Sequence, residues 1–440
     1  MALRHLTILG GGLAGLSVGH FARTSGLPFV IYEALDRPGG NCVTWTHGDF
    51  RFDSGAHRLH DKEPGITAEM ARLLGPDLKR LIRPSLYYGR GKFLEYPLSP
   101  VNLMRSLGPV ITLRAAFDIA VSRAHPARPQ ESFEDHVIMK YGRTLARQFL
   151  VSYTEKLWGT PCGRLAPDVA DKRFRGFGLK TLADQALRGR KGRQDGIYYY
   201  PEGGIGAIAG ALSASCGEGS IRSNAPVTRL EHDGRRIRRV ETGGRSVAEV
   251  DEVISTIPLR QLVRSLDPAP PREVLDAAAR LRFRNVILAA FPIDRPSVTE
   301  AATIYIGDPD ISIIRVYEPR NRDSSMSPPG KTSLVAEIPC DADGEIWSLP
   351  DEDLIRRART DLERIGLVKE AELGGACIRR MPHAYPVPDL GLLEEARRVL
   401  AFMGTFANLK LSGRCGKHRY LWMHEVMAAG RHLVEGYLAA

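Results

Sequence analysis

The chain has 440 residues, 43% of them hydrophobic, and carries a formal net charge of +10, with arginine the main basic residue. That length exceeds one ordinary core and predicts two or three domains. The six cysteines, Cys42, Cys162, Cys216, Cys340, Cys377 and Cys415, are scattered and contain no CxxC pair, so they support neither a zinc site nor a disulfide framework and fit a reducing cytoplasm.

The first predicted strand, Leu6 to Leu9, runs into Gly10-Gly11-Gly12-Leu13-Ala14-Gly15. In a G-x-G-x-x-G turn the first glycine makes the tight bend, the second lets backbone approach a pyrophosphate, and the third lets the next helix lie close on the sheet. A helix through Leu13, Leu16, Val18 and Phe21 follows and stops at Gly26, with Pro28 beyond. Phe29 to Tyr32 is a second apolar strand, and Glu33 follows it about twenty positions after the turn, where a ribose-binding carboxylate is expected. The opening segment carries no secretory leader pattern, and its glycines come too early for a bilayer span.

Phe50 to His60 alternates like a strand and delivers Gly55-Ala56-His57 into a turn. Val101 to Val121 holds Arg105, Arg114 and Asp118, so it reads as an amphipathic helix pair able to touch a membrane surface, not as a span. The Trp158-Gly159-Thr160-Pro161 corner places an aromatic over a turn, and Trp158 is a weak site candidate. The basic run Arg188, Arg190, Lys191 and Arg193 has no nucleic-acid motif beside it and reads as a solvated loop. Tyr198 to Gly206 opens a helix through Ile208 and Leu212; Ile221 to Val240 gives two strands around Asp233-Gly234. Asp251 to Pro258 is a short buried strand, followed by a helix around Arg272 to Leu281. Strands are predicted at Val286 to Phe291, Thr303 to Ile306, Ile311 to Val316 and Ser333 to Ile338, with a helix from Asp351 to Ile365 whose one face is apolar. Arg315-Val316-Tyr317-Glu318-Pro319-Arg320 offers two arginines to an anionic substrate group, or else to a surface ion pair with Glu318. Asn408 to Arg414 is a last strand, and Met423 to Leu438 a last helix.

The run Glu33-Ala34-Leu35-Asp36-Arg37-Pro38-Gly39-Gly40-Asn41 resembles the ExxxRxGG extension of glutathione-reductase-like and amine-oxidase-like FAD proteins. Gly55-Ala56-His57 is similar to the flavin-facing segment of UDP-galactopyranose mutases and protoporphyrinogen-oxidase-like proteins. The Arg90 to Leu98, Tyr141 to Arg143 and Tyr153 to Cys162 segments resemble the bacterial protoporphyrinogen-oxidase-like branch of that superfamily. The resemblance implies FAD as cofactor. It gives Gly10, Gly12, Leu13, Ala14, Gly15, Glu33, Ala34, Arg37, Gly39, Gly40, Asn41, Gly55, Ala56, His57, Val227, Thr256, Gly413, Arg414 and Met423 as cofactor residues, with the Gly413-Arg414 pair at the pyrophosphate. The chain departs from the family after Arg414, where Cys415, Leu421, Trp422 and His424 replace polar residues. Met423 opens a helix whose amides favour negative charge on the flavin.

The expected fold is α/β, a glutathione-reductase-type FAD-binding domain in three segments, 1–84, 198–268 and 385–440. A largely helical subdomain, 85–197, and an α+β substrate domain, 269–384, are inserted between them. The expected activity is flavin-dependent oxidation of a small molecule, with His57, Arg315, Tyr317 and Arg320 as catalytic or substrate residues and Tyr420 as a pocket alternative. The alternatives are a mutase-like sugar isomerase and a flavin-bound scaffold without turnover. No metal, nucleic acid or transmembrane segment is expected.

Overall fold

The computed structural model describes residues 4–96, 108–124, 131–169, 197–243, 245–247 and 249–439. The basic run at 188–193, Pro97 and Leu98 of the branch motif, and the 101–107 part of the expected helix pair lie outside the described residues.

The opening strand Leu6–Leu9 is buried along its whole length and sits at the centre of a five-stranded parallel sheet. Its neighbours are Phe29–Tyr32 and Glu252–Ser255, flanked by Ile221–Arg222 and Leu409–Leu411. Three separated stretches of chain therefore build one dinucleotide-type sheet, as the α/β expectation requires. Buried residues on both faces explain the continuous apolar runs. Leu6, Ile8, Leu16 and Val18 pack with the last helix, Met423–Ala439, on one side, while Leu9, Val253 and Leu409 pack with the helices Arg272–Arg280 and Leu390–Met403 on the other. The helix Leu13–Thr24 lies against the sheet because position 15 has no side chain: a Cβ there would stand 1.9 Å from the Gly10 carbonyl oxygen.

The second large sheet is seven-stranded, in the order 377–386, 283–293, 332–341, 315–317, 303–306, 85–89, 92–96. Its strands alternate between two cores, as a period of two demands. Ile287, Ala289, Leu334 and Ala336 face the helix Asp351–Arg364, whereas Leu288, Ala290, Val335 and Tyr317 face a helical layer containing Phe149, Tyr153 and Trp158. Two expectations shift here. The segment after residue 84 begins with two strands, Ser85–Gly89 and Lys92–Tyr96, that pair with each other, the first of them also pairing with Thr303–Ile306, so the helical part starts later than expected. The strand expected at Ile311 to Val316 is confined to Arg315–Tyr317, because the Ile311 and Ile313 carbonyls accept instead from the Lys156 ammonium at 3.1 and 3.0 Å. Burial lowers that lysine to about 7.

Within the helical layer, Pro109–Ala124 packs against Phe133–Leu145. Ser132 and Asp135 close a capping box on the second helix, and Asp118 of the first accepts from the Thr144 amide and hydroxyl at 2.8 and 2.6 Å. Among the described residues, no helix is long and apolar enough to cross a membrane, and no cluster of three or more metal-ligating side chains occurs.

Candidate active site

The dinucleotide end of the site is built from glycines whose neighbours differ in kind. Gly10 turns the chain at φ +98°, and the Thr256 hydroxyl clamps the turn by donating to the Leu9 and Gly10 carbonyls at 2.9 and 3.2 Å. A Cβ on Gly10 would meet that hydroxyl at 2.5 Å, so this glycine is required by the protein itself. Gly12 is different. A Cβ there would find only the Gly40 Cα, at 3.8 Å, an ordinary contact. Gly12 and Gly39 form an isolated parallel bridge, and the Gly39 amide donates to the Gly11 carbonyl at 2.9 Å, so two glycine pairs form one bare backbone wall. The helix that begins at Leu13 has no side-chain cap and no acid in its first turn, and its first amides and dipole suit a phosphate group.

Glu33 is buried, and its carboxylate accepts from the Gly11 amide at 2.6 Å and the Leu35 amide at 2.9 Å. Two backbone bonds fix its orientation and leave lone pairs for ribose hydroxyls. The 222–227 stretch runs beside it: the Glu33 amide donates to the Arg222 carbonyl and the Ala225 amide to the Glu33 carbonyl, which brings Val227 to the same end of the sheet. Ala34 and Arg37 are exposed there, and Asn41 uses its carbonyl to accept from Ser54 at 2.8 Å. Bare glycine wall, uncapped helix and oriented acid together fit an adenine dinucleotide.

The other end is the turn Gly55-Ala56-His57, entered from the strand Phe50–Asp53. Asp53 is fully buried; it accepts from the Thr44 hydroxyl at 2.7 Å, the Ile205 amide at 3.0 Å and the Tyr200 hydroxyl. Burial raises its carboxyl above the usual range despite those donors. The next anchor was not foreseen from sequence. Glu337, nearly inaccessible in the strand Thr332–Asp341, accepts from the Ala56 amide at 2.7 Å with one oxygen and from Arg315 Nε at 2.9 Å with the other. Arg315 also donates to the Tyr385 hydroxyl at 3.2 Å. Burial disfavours its charge, but the Glu337 carboxylate outweighs that and holds the guanidinium more firmly charged than usual.

These contacts correct several expectations. Arg315 is committed to Glu337 rather than free for a ligand, since the antiparallel register sets the two residues directly opposite each other. Arg320 donates to the Pro296 carbonyl and, at 2.8 Å, to the Lys331 carbonyl, so it staples surface loops and shares no partner with Arg315. The ion pair with Glu318 does not form either: Glu318 is buried and accepts from the Val298 and Thr299 amides and the Thr332 hydroxyl. Tyr317 is buried under Arg322, 4.4 Å from guanidinium to ring centre, and donates to the Asp53 carbonyl at 2.8 Å, so it supports the strand before the turn instead of presenting a hydroxyl to a substrate. Arg414 departs from a pyrophosphate role. Three of its nitrogens donate to the Leu421 and Ala384 carbonyls, and it lies 4.9 Å from the Tyr420 ring. Its neighbour Gly413 does make a close approach, to Ala14, where a Cβ would stand 2.6 Å from the alanine methyl. At Met423 the helix end already holds a negative group, since Glu425 accepts from the Trp422 amide at 2.7 Å.

His57 stands among fixed positive charges. Burial, followed by the charges of Arg414, Arg315 and Arg322, pushes it down to about 3. His60 is likewise pushed to about 3, by burial and then by Arg58 and Lys62. Arg58 donates to the Thr303 hydroxyl oxygen at 2.6 Å, and Arg322 reaches the same oxygen at 3.4 Å. Beside this cationic group a chain of rings connects Tyr96, Tyr305 and Tyr153 on one side, and Trp158, Tyr385 and Tyr420 on the other. A lone acid in an otherwise apolar strand was the one sequence signal for Glu337; Arg58 and Arg322 had none beyond their adjacency to motifs.

A strand-glycine-helix end and an oriented acid in a three-segment parallel sheet fit a dinucleotide-binding flavoprotein of the glutathione-reductase type. The sequence profile of the flavin containing amine oxidoreductases matches residues 13–374, and the chain belongs to that family. It is an FAD-dependent oxidoreductase. It is 23% identical to the lycopene-forming phytoene desaturase of Pseudescherichia vulneris, over 77% of this chain and 76% of that one. It is 22% identical to chloroplastic protoporphyrinogen oxidase 1 of Arabidopsis thaliana, over 92% and 83% of the two chains. The crystal structure of reduced UDP-galactopyranose mutase superposes with a TM-score of 0.86 at 20% identity, covering 100% of this chain and 94% of that one, a likeness of fold.

Proposed function

We propose that the enzyme removes two hydrogens from a C-C, C-N or C-O bond of a small molecule with an apolar body and an acidic group, electrons leaving finally to oxygen or another acceptor. The three sheet-forming segments would hold the cofactor, and residues 85–197 and 269–384 the substrate. When bound, FAD supplies the two-electron acceptor. The observation that carries the reading is the positive field around the Gly55-Ala56-His57 turn. Buried arginines favour negative charge gained at that place, and a site poor in water makes their effect large. The linked tyrosines and Trp158 suit an apolar substrate body, and Arg58 and Arg322 are the cations beside it. The curated relatives, named as a desaturase and an oxidase, support redox chemistry over isomerisation. Six unpaired cysteines support a cytoplasmic location.

The test is anaerobic mixing of the yellow enzyme with phytoene, protoporphyrinogen and UDP-galactopyranose in turn. Stoichiometric bleaching of the oxidised flavin band with protoporphyrinogen, which carries carboxylates, reversed by oxygen, is the expected result; bleaching with phytoene, a hydrocarbon, would keep the redox chemistry but remove the acidic group from the reading. Turnover that requires dithionite and yields only an isomer would replace this reading with the mutase.

His57 has a defined part in it. Burial and then the charges of Arg414, Arg315 and Arg322 push the imidazole down to about 3, which makes it a poor proton acceptor between pH 5 and 8. It therefore orients and packs but does not act as general base. His57→Gln should keep the anaerobic bleaching rate within about tenfold, where loss of a general base costs about a hundredfold or more. The two pH profiles should have the same shape. An inflection near pH 6.5 that vanishes in the variant would restore His57 as the base.

A further inference from the structure

The helix Pro109–Ala124 leaves an apolar stripe in solvent. Val110, Leu113, Phe117 and Val121 are 77, 71, 68 and 37% exposed, and their spacing of three, four and four residues puts them on one helical face. The opposite face is what packs: Ala115 is buried in the helical-layer core, with Ile119 against it. Large side chains this open on consecutive turns of one helix mark a contact surface, since scattered exposure does not follow a helical period.

Charge decides the occupant. Arg114 is exposed beside the stripe, and the acid of this helix, Asp118, is turned inward onto Thr144. Asp118 is held below the usual carboxylate range first by the Thr144 hydroxyl, with the charges of Arg114 and Arg143 adding to it, which locates both arginines near the middle of the helix. Arg143 of the adjoining helix and Arg147 just beyond its end are exposed as well, while Glu131, Glu134 and Asp135 stand at the start of that helix, where Asp135 is engaged in the Ser132 cap. A second copy docking face to face through this stripe would bring two copies of the same positive patch together, because a two-fold interface uses one surface on both subunits. An anionic bilayer surface meets both halves of the pattern, apolar side chains entering the acyl boundary and guanidinium groups remaining at the phosphates.

We propose that the Pro109–Ala124 face seats the enzyme on the surface of an anionic membrane. The contact is peripheral, and it is independent of which substrate is oxidised. The experiment is co-sedimentation of the full-length, FAD-loaded protein with sucrose-filled vesicles, either phosphatidylglycerol with phosphatidylcholine or phosphatidylcholine alone. The wild type should pellet with the anionic vesicles and much less with the neutral ones, and added salt should weaken the binding. Leu113→Glu with Phe117→Glu should lower the bound fraction at least about tenfold, with flavin absorbance and melting temperature unchanged. Arg114→Glu should weaken binding and reduce its salt dependence. Three results would overturn the proposal: a wild type that stays in the supernatant with both vesicles, a double variant that binds as well as wild type, or a wild-type dimer in light scattering that the double variant converts to monomer.

Discussion

Gly12→Asp is expected to give a folded, colourless protein. The residue has room for a side chain as far as the protein is concerned, because its Cβ would meet Gly40 at 3.8 Å and nothing nearer. What it lacks is room for a charge in the groove between the glycine wall and the first turn of the helix. A carboxylate about 4 Å from a phosphate interacts unfavourably by about 4 kcal/mol at an effective dielectric of about 20. That corresponds to roughly three orders of magnitude in FAD affinity. Gly15→Ala supplies the contrast. Its methyl would lie 1.9 Å from the Gly10 carbonyl oxygen, backbone that cannot yield without moving the first strand or its helix, so the expected result there is loss of soluble, folded protein. Flavin absorbance after purification and thermal melting read the two cases apart. A yellow Gly12→Asp protein would remove this groove as the cofactor site, whereas a folded Gly15→Ala protein would show that the helix can lift off the sheet.

The dinucleotide half of the molecule was legible because its determinants are local. Strand, turn, helix, strand and acid fall within 28 consecutive residues, Leu6 to Glu33, and each is signalled by its own composition or by one glycine. The substrate half depends on register, which composition does not encode. Arg315 and Glu318 are neighbours in sequence, yet the partner of Arg315 comes from a strand twenty-two residues on, and Glu318 turns to backbone amides at 298 and 299. Tyr317 was read as a substrate residue, but its hydroxyl donates to a carbonyl 264 residues away in sequence. The same limit hid the Ser85–Gly89 and Lys92–Tyr96 strands, which join the sheet through Thr303–Ile306, more than two hundred residues later. The family resemblance carried Gly413 to a close approach but misplaced the Arg414 side chain. That side chain answers to the Leu421 and Ala384 carbonyls, in the region where this chain replaces the family's polar residues.

Removing Glu337 should produce the largest loss of stability of any single change near the turn. Its two oxygens satisfy the Ala56 amide at 2.7 Å and Arg315 at 2.9 Å, and both it and its arginine are shielded from water. Glu337→Ala leaves a buried guanidinium without a counter-charge, which costs about 3–5 kcal/mol. The orphaned Ala56 amide belongs to the turn beside His57, so flavin binding should weaken with the fold. Glu337→Gln separates the terms: its amide oxygen can still accept from Ala56, and the turn should hold while the charge pair is lost. Pairing Glu337→Leu with Arg315→Met tests the remainder. Replacing both members of a buried ion pair by apolar side chains is often neutral. The double variant should therefore recover most of the loss except the roughly 1–3 kcal/mol of an unpaired buried amide. Denaturant unfolding followed by tryptophan fluorescence gives the stabilities, and FAD titration of the apoprotein gives the state of the turn. If Glu337→Ala unfolds at the wild-type midpoint and binds FAD equally well, Glu337 positions nothing, and the Gly55-Ala56-His57 turn is held by Asp53, Tyr200 and Tyr317 alone.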